Sequence, residues 1–152
     1  MKKALTLILT IAGAILTLAA FAEDADRYDP DQALQLSQNA IGQTIGDYEL
    51  LDEYGGIVKL RSDHAGRPMV ISMIFTSCHH VCPATTKHLA KSVEAAREAL
   101  GSDSFEVVTI GFDVANDTPQ AMAAFARRQG VADENWRFLS ASSETIQQIS
   151  ND

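Results

Sequence analysis

The chain has 152 residues, of which 46% are apolar and 21% charged, and a formal charge of −8. That length suits one ordinary domain, and that composition belongs to a globular chain and excludes a disordered one. The acidic balance disfavours nucleic acid or an anionic membrane surface as partner; it suits a basic docking site on another protein, although acidic charge also serves solubility alone.

In chain order, Lys2 and Lys3 precede an apolar run over residues 4–21, which ends in Ala20-Phe21-Ala22 before Glu23-Asp24. This is a basic n-region, an apolar h-region and a small-x-small cleavage site. The run also approaches the length that spans a bilayer, so residues 1–22 read either as a signal peptide or as a membrane anchor. Both readings send the rest of the chain across the membrane, so the domain is expected in the periplasm, free or tethered to the inner membrane. Removal of residues 1–22 would take the formal charge to −10. Cysteines in that compartment can oxidise.

Residues 23–40 carry five acids and Pro30 without a sustained apolar period, and read as a flexible acidic tether. A folded domain is expected over residues 41–152. Residues 48–51 and 57–60 are short strand candidates on either side of Glu53-Tyr54-Gly55-Gly56, whose glycines permit a hairpin turn. Residues 69–75, Met-Val-Ile-Ser-Met-Ile-Phe, read as a strand covered on both faces. After Pro83, Leu89, Val93, Ala96 and Leu100 recur at helical spacing until Gly101.

The strand-then-helix unit repeats. Residues 105–112 form another apolar run, Asp117-Thr118-Pro119 offers a capped helix start, and Met122, Phe125 and Ala126 share one face before Gly130. Residues 136–139 suggest a third parallel strand, and Ser142 opens a helix with Ile146 and Ile149 near one turn apart. Such alternation predicts an α/β fold with a parallel sheet and right-handed crossovers behind a leading β-hairpin. No internal repeat, Gly-rich phosphate loop or basic aromatic patch supports nucleotide or nucleic-acid binding.

The stretch that carries chemistry is Phe75-Thr76-Ser77-Cys78-His79-His80-Val81-Cys82-Pro83, at the carboxyl end of the first long strand, where open α/β sheets gather reactive groups. If near-helical, residues four apart have Cα atoms roughly 6 Å apart, which admits a disulfide or a shared metal ion. A helix N-terminus favours thiolates. Soft sulfur selects Cu(I) or zinc, and a nearby imidazole would also accommodate Cu(II). A disulfide that merely staples the loop is the bland alternative, weakened by its short ring. A structural zinc site is strained because His79 and His80 adjoin each other and Cys78. His79 and His80 could tune the thiolates or lend a transient ligand, although exposed loop histidines are commonly just solvated; His88 is expected at the helix surface and His64 in a polar loop. Asp113 could face the cysteine loop, whereas Asp117 and Thr118 read as caps of the following helix.

Phe75-Thr76-Ser77-Cys78-x-x-x-Cys82-Pro83, the preceding Gly-Arg-Pro-Met-Val-Ile, and Phe112-Asp113-x-x-x-Asp117-Thr118-Pro119 before a helix together resemble the Sco/SenC copper proteins. The resemblance runs over residues 41–152. It implies a thioredoxin-like domain, often membrane-tethered, that delivers copper to the CuA site of cytochrome c oxidase subunit II or keeps that site's cysteines reduced. It further implies a periplasmic thiol reductant or copper donor upstream. By motif match Cys78 and Cys82 are the two thiol ligands for the copper ion. In the family a third ligand is a histidine on a later loop. None of His64, His79, His80 or His88 occupies that position, so the fold is expected to be incomplete at the C-terminus, binding Cu(I) and holding Cu(II) poorly.

Two other classes share this fold. A periplasmic thiol–disulfide oxidoreductase would use Cys78 and Cys82 as its redox pair, although three intervening residues suit a metal better than the usual two. A peroxidase is weaker, because Thr76-Ser77-Cys78 lacks the Pro and Thr spacing of peroxiredoxins. A metallochaperone is the leading expectation.

Overall fold

The computed structural model describes residues 29–64, 66–131 and 135–152. The expected signal segment, residues 1–22, and the start of the expected tether lie outside the described residues. Among those described, no helix is long and apolar enough to cross a membrane.

Residues 43–152 form one compact unit. Before it, the segment read as a tether contains a helix, α1, Pro30–Asn39, in which no residue is buried. Cap chemistry accounts for it: Asp29 accepts from Asp31 N–H and Gln32 N–H, and Pro30 needs no donor at the first helical position.

The compact unit opens with a hairpin of β1, Glu49–Leu51, and β2, Ile57–Lys59, paired with Leu50 opposite Val58. Its turn closes because Asp52 Oδ1 accepts from Tyr54 N–H at 2.9 Å and Gly56 N–H at 2.7 Å, while Gly55 takes φ +80°. A side chain at Gly55 would meet the left-handed region's steric cost. Next come β3, Met69–Ile74, helix α2, Val81–Leu100, and β4, Glu106–Gly111. Helix α3, Pro119–Gln129, strand β5, Trp136–Ser140, and helix α4, Ser143–Asn151, complete the series.

The sheet order is β2-β1-β5-β4-β3, with β3, β4 and β5 parallel and β1 antiparallel to both its neighbours. Alternate residues of a strand face opposite sides, and β4 divides the core accordingly. Val107 joins Val93, Met122, Phe125 and Trp136 on the face covered by α2 and α3. Val108 and Ile110 join Leu50 and Val58 of the hairpin strands, Leu139 of β5, and Ile146 and Ile149 of α4 on the opposite face. Each such large apolar side chain contributes ~2 kcal/mol when fully buried. This mixed, open sheet with helices on both faces is the thioredoxin-like α/β arrangement with a leading hairpin.

Two expectations change. The β3 run has the composition of a strand covered on both faces, yet Val70 and Met73 are 38% and 39% exposed and only Ile74 is buried. Apolar composition does not distinguish a central strand from an edge strand, and among the described strands β3 pairs with β4 alone. His64, expected in a polar loop, closes a 3-10 turn, Ser62–His64, and is 4% exposed. Its Nδ1 meets the carboxylate of Glu106, which also accepts from Arg67, so a polar cluster stands on that side of the ring.

Candidate dithiol site

Strand β3 ends at Ile74, and the chain turns at once: Cys78 N–H donates to Phe75 O at 3.1 Å. Helix α2 then starts at Val81, two residues before Pro83, which places Cys82 in its first turn. The residue before the helix, His80, gives no side-chain cap. The orphan donors of a helix start need acceptors, and one finds sulfur: Cys82 N–H donates to Cys78 Sγ at 3.3 Å. The two cysteines expected as a pair are thus brought together, both as free thiols.

Their surroundings differ. Cys78 is partly exposed, and its thiol is pushed below the ordinary value chiefly by the Cys82 N–H, then by the Cys82 thiol, with smaller help from His80 and Val81 N–H groups. Cys82 is buried, and burial pushes its thiol up. Cys78 is therefore the more readily ionised and more accessible sulfur, and Cys82 the protected one. Thiolate character governs both nucleophilic attack and soft-metal binding.

The histidines stay apart from this pair. His79, His80 and His88 are all exposed, and among the described residues no group of three or more His, Cys, Asp or Glu is arranged to hold a metal ion. Among the described residues the donors brought together are two sulfurs, a soft set whose chemistry suits Cu(I). Apolar side chains border the loop: Val81 is 70% exposed, and the Phe75 ring meets that of Phe112 edge-on, centroids 5.3 Å apart.

In the Asp-Thr-Pro segment Thr118 takes its expected role and Asp117 does not. Thr118 caps α3, its Oγ1 accepting from Ala121 N–H at 3.3 Å. Asp117 caps nothing; its buried carboxylate accepts from the backbone N–H and the hydroxyl of Thr76, in the cysteine loop. Asp113 serves its own loop, accepting from the side-chain amide of Asn116 at 2.8 Å. Thr76 and the bridging role of Asp117 escape a sequence reading, because an Asp before Thr-Pro satisfies the cap pattern equally well.

Known proteins bear on this geometry. The SCO1/SenC family profile matches residues 37–152. The SCO1 protein homolog of Bacillus subtilis (strain 168) is 29% identical over 82 residues, 53% of this chain and 40% of that protein. A SCO1/SenC family lipoprotein from Bacillus anthracis str. Ames superposes with TM-score 0.64 at 25% identity, covering 74% of this chain and 66% of that one. ScoI of Bradyrhizobium japonicum, solved with copper bound, shares the fold at TM-score 0.60 and 23% identity, covering 72% and 66%. The chain thus spans less than half of the curated relative and just under two thirds of these solved ones. With most of its length matched and its fold shared, the chain belongs to the SCO1/SenC family of copper-related proteins.

Proposed function

We propose that this chain is a metallochaperone working in the periplasm, free or membrane-tethered. It takes Cu(I) as cargo on Cys78 and Cys82 and delivers it to the CuA site of cytochrome c oxidase subunit II, or keeps that site's cysteines reduced. The observation that carries the reading is the contact of Cys78 Sγ with the Cys82 N–H at a strand-to-helix junction. Two sulfurs held side by side there, one of them easily ionised, suit a soft monovalent ion. Family membership supports copper and oxidase assembly in general terms. A periplasmic thiol reductant or copper donor would supply the reduced, loaded form.

The unlike surroundings of the two thiols also favour a second reading, thiol–disulfide exchange. There the Cys78 thiolate attacks one sulfur of a partner disulfide and the partner's other sulfur leaves as a thiolate that takes up a proton. Cys82, losing its proton, then attacks Cys78 Sγ and releases the second partner thiol. Two electrons pass to the partner and a Cys78–Cys82 disulfide remains.

Titration of the reduced full chain with Cu(I) against a chromophoric chelator separates the readings. Metal delivery requires a stoichiometry near one that is lost in both Cys78→Ser and Cys82→Ser. Absence of Cu(I) binding, with rapid reduction of protein disulfides, supports exchange instead.

A further inference from the structure

Asp117 is 2% exposed, and its carboxylate spans two loops at the carboxyl edge of the sheet. Oδ1 accepts from Thr76 N–H and from the Thr76 hydroxyl, each at 2.7 Å. Oδ2 accepts from Asp113 N–H at 2.8 Å, and the Asp117 N–H donates to Asp113 O at 2.7 Å. Thr76 stands inside the turn that Cys78 N–H closes on Phe75 O, and Asp113 lies just past the end of β4. One side chain therefore ties the exit of β3 to the exit of β4. The site has been cleared for it: a Cβ on Gly111 would stand 2.5 Å from Asp117 Cβ and 2.7 Å from Met122 Sδ.

A buried carboxylate is tolerated where its lone pairs are taken up by donors, and here three donors converge on it. An Asn side chain would keep an acceptor for Thr76 but set an N–H₂ group against the Asp113 N–H, two donors facing each other. An apolar side chain would leave both loops' donors unpaired. The arrangement fits an anion and serves the loop that carries Cys78.

We propose that Asp117 is a positioning residue for the dithiol: through Thr76 it fixes the cysteine turn against β4, so that Cys78 Sγ remains beneath the Cys82 N–H. The inference rests on the dithiol function proposed above. Loss of the tie lets the two sulfurs drift apart, which lowers their effective concentration for one another and disfavours the disulfide.

The test equilibrates the full chain with reduced and oxidised glutathione, a balanced exchange of one disulfide for two thiols, and reads the oxidised fraction beside the melting temperature. Asp117→Asn is expected to lower the equilibrium constant for disulfide formation about tenfold, equal to ~30 mV. Thr76→Ala, which removes one of the bonds and no charge, lowers it about threefold, and Thr76→Ser returns it towards the wild-type value. If Asp117→Asn fails to fold, the Thr76 pair decides by the same criterion. Equilibrium constants within about twofold of wild type for each variant that folds, even with a lowered melting temperature, overturn the proposal and leave Asp117 a fold residue. Wild-type chain that binds no Cu(I) while Asp117→Asn still shifts the equilibrium removes the metallochaperone reading and supports the positioning role.

Discussion

The amide of Cys82 points at the sulfur of Cys78, 3.3 Å away, so the first turn of α2 treats a cysteine side chain as its cap. That relationship makes the two thiols unequal: the partly exposed one ionises more readily, and burial opposes ionisation of the other. A helix start without a Ser, Thr, Asp or Asn cap is ordinarily less stable. Here the vacancy is filled by a thiol.

Iodoacetamide is expected to modify Cys78 about tenfold faster than Cys82 near neutral pH, because rate follows thiolate fraction and access. Peptide mapping by mass spectrometry after short exposure checks the order. Equal rates would mean that the amide and the burial do not differentiate the pair.

The sulfur contact also predicts a structural effect. Replacing Cys78 by Ala removes the acceptor for the Cys82 N–H and should cost ~1 kcal/mol of stability, the usual loss of a helix cap. Thr118→Ala at the start of α3 should cost a similar ~1 kcal/mol without changing thiol reactivity. Urea unfolding followed by fluorescence of Trp136, the one tryptophan in the chain, measures both. That indole is buried and donates to Thr109 Oγ1 at 2.9 Å, so unfolding exposes it.

Phe125 lies fully buried against Phe138 on the face covered by α3, and Phe125→Ala is expected to destabilise by ~3–5 kcal/mol through lost burial and a residual cavity. The same urea experiment reads it. A loss near 1 kcal/mol would show that α3 relaxes into the space, in the manner of a loosely packed helix.

His64 gives a pH window. Burial first, then Arg137, depress its affinity for protons below the ordinary value of 6.5; Asp63 opposes them, and Arg67 adds a smaller depression. With a depressed folded value, the unfolded chain binds more protons as pH falls past that point, so stability should be full above 6.5 and decline below it. His64→Gln should flatten the dependence between pH 7.5 and pH 5.5, windows chosen about one unit either side of the free value. Asp47 acts lower. Its carboxylate, held at about 2 by the Ser62 hydroxyl and by the Ser62 and Arg61 amides, loses its contribution as pH falls from 3.8 towards 2. Denaturation midpoints against pH distinguish the two.

Much of this was legible in the residues. Thr118-Pro119, Ser142 and Gly130 announce helix ends, and the structure caps α3 and α4 where they stand. The β4 run is buried along its whole length, as its composition suggests. What escaped depends on partners distant in sequence. The carboxylate of Asp117 reaches Thr76 across 41 positions, and Glu106 claims His64 across 42. A cap pattern or a polar loop is a local inference, and neither contains the far partner that decides it. The β3 edge escaped likewise, since only the sheet order reveals it.

The proposed function requires that the sulfurs of Cys78 and Cys82 together hold one Cu(I) ion. X-ray absorption at the copper edge of the reduced, Cu(I)-loaded full chain tests it most directly, with each Cys→Ser variant beside the wild type. Both sulfurs are expected in the copper's first shell in the wild type, with loss of bound copper in either variant. A shell without sulfur, or copper retained undiminished when Cys78 or Cys82 is replaced, would contradict it.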